Sequence, residues 1–186
     1  MGLFSSIKNA FLFNKMLKQS IREEQEKDER YSKMISEEIK NLPDNELCDA
    51  VIRRIFCKAD EYDEYEILAE LTDTEFTVYV ISIFNMEFEN GGLCQFFENS
   101  SKSVAPYISK RLEIIGANDH KELYNSFVIK YDFDLNNLSE FETDDIDEFV
   151  DFYEKYDFEE FDNAFSKLPP LMDYLNKYIL SNRCNF

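Results

Sequence analysis

Carboxylates are the side chains in this sequence whose number and spacing could do chemistry. We selected ten of them, from the two densest acidic stretches, as a predicted acidic surface: Asp60, Glu61, Asp63, Glu64, Asp144, Asp145, Asp147, Glu148, Asp151 and Glu154. Carboxylates three or four positions apart on a helix lie roughly 5–6 Å from one another. Such an array attracts basic molecules over long range and speeds their association. We therefore expect it to bind a basic protein; the alternative is that the acids only keep the chain in solution.

Motifs that would mark an enzyme are missing from the sequence. No Ser or Cys has a nucleophile motif around it, and there is no zinc-protease helix, phosphate loop or dinucleotide fingerprint. The single histidine, His120, stands beside Asp119 in what reads as a polar turn, where a surface position is expected. The Gly91-Gly92 pair lacks the lysine and the preceding strand of a phosphate-binding loop. We predict a non-enzymatic protein without a cofactor.

One stretch begins like a calcium-binding loop between two helices. Asp132, Asp134 and Asn136 have the spacing of the first ligands of such a loop. The loop also needs glycine at position 6 and glutamate at position 12, which here are Asn137 and Thr143. We therefore predict no metal site, and expect at most weak binding of divalent ions by the carboxylates.

The composition indicates a globular protein with an aromatic-rich interior. Hydrophobic residues make up 44% and aromatic residues 16% of 186 residues, enough for a domain with a core. The net charge of −19 at pH 7 disfavours nucleic acid and anionic membranes as direct partners. No segment approaches the ~18 consecutive apolar residues of a membrane span. The cysteines form no Cys-x-x-Cys pair, and no secretory signal is recognised, so we expect a reducing cytoplasmic compartment. They are Cys48, Cys57, Cys94 and Cys184.

The negative charge belongs to the region after residue 40. Residues 1–40 contain 8 basic and 7 acidic residues, whereas the rest of the chain contains 12 basic and 32 acidic residues. This asymmetry predicts an N-terminal helical extension over residues 1–42 and an acidic helical domain over residues 43–186. We expect the extension to pack on the domain or on a second copy, with peripheral membrane contact as the alternative. A monomer and a dimer both remain open.

Most of the chain has the apolar periodicity of helices. Tyr31, Met34, Ile35, Ile39 and Leu42 recur at helical spacing and predict one long helix over residues 20–42. The next helix is expected to have a core face of Leu47, Ala50, Val51 and Ile55. Pro43-Asp44 and the capping-box pattern Thr72-x-x-Glu75 mark two helix starts. The second opens a β-branched run that also suits a buried strand, but no second strand candidate exists. Further helices are expected over 103–115, after Asp119-x-x-Glu122, around 146–156 and over 171–180. Arg53, Arg54, Lys110 and Arg111 are expected to face solvent.

The most distinctive stretch is residues 87–117, which contains three of the four glycines. Two adjacent glycines permit a turn that other residues resist, and Gly116 suits a helix end. We predict a helix, a tight turn and a helix, with the structural motif formed by Asn90, Gly91, Gly92, Gln95, Phe96, Phe97, Asn99 and Gly116. Its polar residues could instead form a small-ligand pocket: Glu87, Glu89, Gln95 and Asn99.

The pattern Asn90-Gly91-Gly92-Leu93-x-Gln95-Phe96-Phe97-x-Asn99-Ser100-Ser101, followed by Leu112-x-x-Ile115-Gly116-Ala117, resembles the DNA-mimic protein 19 domain family, also called domain of unknown function 4375. The tail Tyr178-Ile179-x-x-Asn182-x-x-x-Phe186 extends the resemblance, which covers residues 44–186. Leu93 stands where phenylalanine is expected. The resemblance implies a bacterial, all-helical, non-enzymatic protein. The family takes its name from a member whose acidic surface imitates DNA.

Together these observations predict a compact all-α domain that acts by binding. Duplex DNA presents one charge per ~1.7 Å of its axis, and carboxylates on two adjacent helices could follow such a track. We expect a DNA mimic that occupies the DNA-binding face of a basic protein such as a transcription regulator. The alternatives are an immunity-type inhibitor of a basic toxin or nuclease, and a domain with a small-ligand pocket near the glycine pair.

Overall fold

The computed structural model describes residues 3–60, 67–142 and 146–186, and their side chains except at 3–12, 68, 140, 146–149 and 151. Helices dominate these residues and none of them forms a β-strand, so the all-α prediction is confirmed. The chain divides into two compact units, one up to Ile67 together with Phe186, and one over residues 68–185. The predicted domain boundary after residue 42 stays a prediction.

The first unit consists of α1 (Leu3–Ser32), α2 (Ser36–Lys40) and α3 (Asp44–Ala59). Helix α1 packs along α3, and α2 also contacts α3. Pro43 is the N-cap of α3, as its position in the sequence predicts. The expected apolar face of α3 is buried and completes the core of this unit with residues before it: Tyr31, Ile39, Leu42, Leu47, Ala50, Val51 and Ile55.

Ile35 departs from the predicted apolar periodicity. Helical spacing places it with Tyr31 and Ile39, but α1 ends at Ser32 and Ile35 is 63% exposed. It is the N-cap of α2 with an extended backbone, φ −75° and ψ 158°, which breaks the 3.6-residue period. One long helix over this stretch was therefore the wrong expectation.

Arg53 connects α1 to α3. Its Nη1 donates to Oδ1 of Asp28 and its Nε to Oδ1 of Asp49, both at 2.6 Å, and it also pairs with Glu24. Only 21% of its side chain is exposed, so the prediction of a solvated side chain was wrong. Burial acts to lower the pKa of the Arg53 guanidinium, but the three carboxylates outweigh it and raise that pKa. A fixed fork of donors suits several acceptors at once.

Replacing Arg53 with Met tests this connection. We expect a loss of about 1–2 kcal/mol in the free energy of unfolding, because the substitution removes three charge-assisted hydrogen bonds. The measurement is urea unfolding, with hydrogen exchange of α1 as a local probe. Arg54→Met is the matched control, because Arg54 makes only long hydrogen bonds within the described residues, 3.5 Å from its guanidinium to the Ser36 hydroxyl. Equal losses in the two variants would contradict the assignment.

The second unit is built around a long helix. Helix α4 (Ile67–Glu70) precedes α5 (Asp73–Glu98), and α6 (Ala105–Ile114), α7 (Asn118–Lys130), α8 (Ile146–Lys155), α9 (Phe158–Phe165) and α10 (Leu171–Ser181) follow. Short 3₁₀ turns cover Ser100–Val104, Ser139–Phe141 and Arg183–Asn185. Helix α5 contacts α6, α9 and α10. The capping box that opens α5 is confirmed: Thr72 Oγ1 accepts from the Glu75 amide, and Glu75 accepts from the Thr72 amide.

Aromatic rings form the interior of the second unit. Phe84 of α5 meets Phe96, Tyr124 and Phe165 edge to face at centroid distances of 5.2–5.8 Å. The acidic region, residues 132–162, also contributes rings to this interior. The buried ones are Phe133, Phe141, Phe152, Tyr156, Phe158 and Phe161. The buried Tyr124 hydroxyl donates to the Ala105 carbonyl at 3.0 Å. The acidic region therefore folds, as its interleaved aromatics predict.

Arg111, the start of α7 and His120 differ from expectation in this unit. Arg111 does not face solvent: its side chain is 12% exposed, lies over the Phe76 ring and donates to Asp73 and Thr77. Helix α7 begins at Asn118 after Ala117, which has no side-chain cap, so the capping box at Asp119 was wrong.

His120 is buried rather than on the surface, with 1% exposed, because the early start of α7 places it on the inner face. It lies against the rings of Phe165 and Tyr174. Among the described residues neither ring nitrogen has a hydrogen bond of normal geometry, and the nearby Pro169 carbonyl makes only a weaker contact. Burial lowers the pKa of His120, and the Pro169 carbonyl and the charge of Asp119 act against that shift without reversing it.

Candidate functional site

Helix α5 is broken at the glycine pair. Gly91 has φ −166° and ψ 24°, and Gly92 has φ 73° and ψ −169°, so a long segment up to residue 90 and a short one over 93–98 meet there. Only Gly92 lies in the left-handed region that favours glycine. A Cβ at Gly92 would collide with the Asp162 carboxylate, and one at Gly91 with the Gln95 side chain. The predicted interruption is present, with the helix resuming at once.

Asp162 of α9 caps the second segment from 69 positions along the chain. Its Oδ1 accepts a hydrogen bond from the Leu93 amide at 3.0 Å. That amide needs an external acceptor, because it stands at the start of a helix segment. Burial raises the pKa of Asp162, and the hydrogen bond from Leu93 opposes the rise without cancelling it. No motif in the sequence links these two positions, so sequence reasoning missed this contact.

Glu87, on the first segment, binds three side chains that follow the break. Its Oε2 accepts from Gln95 Nε2 at 3.0 Å and Asn99 Nδ2 at 2.7 Å, and its Oε1 accepts from Ser101 Oγ at 2.7 Å. Burial raises the pKa of Glu87, but these three hydrogen bonds outweigh it, so the pKa lies below its usual range. Of the residues proposed to form a pocket, Glu89 is exposed, and Gln95 and Asn99 both donate to Glu87.

Residues 87–101 and Asp162 together are called the Gly-Gly junction below. It fixes two buried rings: Phe96 meets Phe84 at 5.2 Å, and Phe97 stacks on Phe141 at 4.8 Å. Asn90 is exposed. Burial, with the nearby charges of Glu98 and Asp162, raises the pKa of the Cys94 thiol to about 12. Gly116 (φ 80°) follows α6 in the predicted helix-end position.

Only part of the predicted acidic surface lies within the described residues. Asp60 is exposed after α3, and Glu154 is exposed on α8. The placement of the other predicted acids lies outside the described residues or side chains: Glu61, Asp63, Glu64, Asp144, Asp145, Asp147, Glu148 and Asp151. Their proximity to one another stays a prediction.

Helix α9 presents acids that sequence reasoning did not select. Glu159 and Glu160 are exposed, whereas Phe158, Phe161 and Phe165 on the other side of the helix are buried. Asp157 caps α9 by accepting from the Glu160 amide at 3.0 Å. The Glu160 carboxylate also pairs with Lys130 of α7, Nζ to Oε2 at 2.7 Å. The hydrophobic face fixes the orientation of this helix, and hence where its acids stand.

The structure gives no sign of a metal centre in the residues it describes, where no group of three or more His, Cys, Asp or Glu side chains could hold an ion. In the calcium-like stretch, Asp134 Oδ1 accepts from the Asn136 amide at 3.0 Å, and Asp132 has φ 55°, which is turn geometry. Across the described helices, none has the length and apolar character needed to span a membrane.

The fold and the junction define an all-helical protein with an acidic exterior and a central helix broken at paired glycines. The model of the DMP19-like protein family matches residues 69–182, more than half of the chain, so this chain belongs to that family. The match begins later than the resemblance at residue 44 and contains the whole Gly-Gly junction. No curated protein and no solved structure matches the chain significantly.

Gly92→Ala tests the close approach of Asp162. We expect it to lower the free energy of unfolding by about 1–3 kcal/mol more than Gly116→Ala, measured by urea denaturation. Both positions have positive φ, but Gly92 also has ψ −169°, a region that is essentially limited to glycine, whereas a Cβ at Gly116 meets nothing within 4 Å. The larger loss at position 92 therefore combines backbone strain with the collision, and a double-mutant cycle of Gly92→Ala with Asp162→Ala separates the two. Absence of coupling in this cycle would show that backbone strain alone requires glycine at position 92.

Glu87→Gln tests the three hydrogen bonds that Glu87 accepts, through the pH dependence of the free energy of unfolding. A lowered folded-state pKa contributes stability above the unfolded value of about 4.3, and this contribution is lost as the pH falls through the folded-state pKa. We expect the variant to be less stable by about 1 kcal/mol at pH 7, and the difference to shrink from pH 5 to pH 3.5 in urea titrations. Glu89→Gln, at an exposed position, controls for loss of one charge. A difference that is independent of pH would contradict this reading.

Proposed function

We propose that this chain is a non-enzymatic acidic interaction protein that occupies the DNA-binding face of a basic protein, such as a transcription regulator, in place of DNA. One observation carries the proposal: most of the net negative charge lies in the segment that matches the DMP19-like family. Residues 69–182 contain 24 Asp and Glu against eight Lys and Arg. The family is named for DNA mimicry, and this segment has the charge that mimicry requires.

Helix α9 supplies the rigidity that an imitation of DNA needs. Individual exposed ion pairs contribute little, partly because two mobile side chains lose entropy when they pair. Acids on a helix whose other face is buried need less ordering when a partner binds, since their backbone is already fixed. Phe158, Phe161 and Phe165 provide that buried face, and Glu159 and Glu160 stand on the exposed one. An array of this kind also attracts a basic partner over long range.

Three groups that a catalytic role could use are committed elsewhere in the described part of the chain. The pKa of Cys94 is about 12, which keeps its thiol protonated at neutral pH. His120 is buried among aromatic rings. Glu87 is occupied by three donors of the Gly-Gly junction, which favours a structural role for this region over a small-ligand pocket. These features support action by binding.

An immunity-type inhibitor of a basic toxin or nuclease would use the same acidic exterior. The two functions differ in the partner and in the result of binding. Mimicry of a regulator's site releases DNA from the regulator, whereas an inhibitor blocks cleavage by the nuclease. Both outcomes can be read from the same set of captured proteins.

The test starts with capture of basic proteins from native lysate at low salt on the immobilised chain, followed by elution with salt. Each DNA-binding protein obtained is then purified and bound to a fluorescent duplex, and displacement by this chain is followed by anisotropy. We expect displacement at 50 mM salt that weakens at least about tenfold by 200 mM, because the contacts are charged and exposed. Failure to displace DNA from every captured DNA-binding protein would contradict mimicry, and inhibition of a captured nuclease would favour the alternative.

Neutralising four acids at a time tests whether binding depends on where the acids lie or only on the net charge of the chain. The variant Asp147→Asn, Glu148→Gln, Asp151→Asn, Glu154→Gln removes four negative charges from the predicted acidic surface. The matched control Glu23→Gln, Glu26→Gln, Glu29→Gln, Glu37→Gln removes four from exposed positions in the first unit. We expect the first variant to displace DNA roughly 10- to 100-fold less well and the control to change it less than about threefold. Equal losses would show that only total charge matters.

A further inference from the structure

A groove lies between α7 and α9 on the second unit, with a volume of about 330 Å³. Its walls are apolar: Leu123 and Phe127 come from α7, and Phe161 and Ala164 from α9. Both aromatic rings belong to the core, with Phe127 5% and Phe161 2% exposed, so the groove has a rigid floor. This volume is at the lower end of small-ligand pockets, and a pocket of this kind also suits a single anchoring side chain of a protein partner.

Two charged residues also line the groove. Lys130 and Glu160 belong to it, and their ion pair joins the two helices. Both side chains are about half exposed or more, 48% for Lys130 and 68% for Glu160, so the pair is screened by water and contributes little to stability. The Lys130 ammonium also lies 5.1 Å from the centre of the Tyr131 ring, a contact it retains if Glu160 turns to another cation. Glu160 is thus available for exchange.

Charge complementarity decides which occupant fits. Residues 118–165, which include both helices, contain 16 Asp and Glu against three Lys. Exposed acids stand on each helix, with Glu122 on α7 and Glu159 on α9. An acidic or neutral segment gains nothing from these charges, and an anionic surface is repelled. A segment with one apolar side chain between lysines or arginines satisfies both the apolar walls and the surrounding carboxylates.

We propose that the groove between α7 and α9 receives one large apolar side chain of the basic partner, while Glu160 pairs with a lysine or arginine next to that side chain. This inference rests on the proposed function and adds a source of specificity to it. An acidic array attracts any basic protein, whereas an apolar anchor selects those with a suitable side chain at the right position. Filling the groove also excludes water from the neighbouring charge pair and strengthens it.

Two synthetic peptides test the groove directly. Each is a 15-residue helix-forming peptide with arginines three and four positions on either side of a central residue, which is Phe in one peptide and Ser in the other. Binding is measured by fluorescence anisotropy at 100 mM salt, and the site is mapped by amide chemical shifts of the full chain. We expect the Phe peptide to bind about tenfold more tightly, with the largest shifts in α7 and α9.

Groove-filling variants complete the design. Ala164→Leu occupies the groove from α9, and Asn163→Leu adds the same side chain at an exposed position next to it that does not line the groove. We expect Ala164→Leu to abolish the preference for Phe over Ser and Asn163→Leu to keep it. Ser126→Leu fills the groove from an exposed position on α7, so a second variant remains if Ala164→Leu destabilises the chain. Glu160→Gln should weaken the Phe peptide more than Glu159→Gln does.

The outcomes distinguish this inference from the proposed function. Equal affinity for the two peptides overturns the groove as an anchor site and leaves binding of basic partners intact. A preference for Phe that survives both filling variants also overturns it. If neither peptide binds, the inference is overturned, and the proposed function is decided by displacement of DNA from the captured proteins. Concentration-dependent shifts in α7 and α9 without peptide would assign the groove to a second copy of the chain and overturn the inference.

Discussion

The contact between the Asp162 carboxylate and the Leu93 amide is the constraint on which the second unit depends. The glycine pair ends the regular hydrogen bonding of α5, and the helix resumes at once with an unsatisfied donor. An acceptor from α9 supplies what the local chain cannot. Because the same short segment carries Phe96 and Phe97, the position of α9 and the packing of these rings are set together. Residues far apart in sequence therefore specify one small region.

Carboxylates have two different uses in this protein. Glu87 and Asp162 are partly buried and hold the Gly-Gly junction, and their pKa values are displaced in opposite directions, down for Glu87 and up for Asp162. Exposed acids such as Glu159 of α9 instead increase repulsion within the fold. The aromatic interior offsets that repulsion through buried area and edge-to-face contacts. A chain with a net charge of −19 can fold because most of the charged side chains that the structure describes remain in water.

Features that depend on local patterns could be predicted from the sequence. The all-helical class, the capping box at Thr72, the break at Gly91 and Gly92 and the apolar face of α3 all follow from nearby residue types. Features that depend on distant partners could not. Arg53 and Arg111 appear solvated in the sequence, because nothing near them shows that carboxylates and a ring from other helices surround them. The capping role of Asp162 and the groove between α7 and α9 arise only when separate helices meet.

The two faces of α9 differ in what a substitution changes. A change on its aromatic face alters the packing of the core, and a change at Asp162 affects the break in α5. A change at Glu159 alters only the exposed surface, and one at Glu160 also alters the ion pair with Lys130. Exchange of Glu for Asp moves a charge by about one methylene without touching the interior. Substitutions on the exposed face can therefore change the surface charge in small steps while the scaffold stays constant. A single helix carries both residues that hold the fold together and residues whose exchange leaves the fold intact.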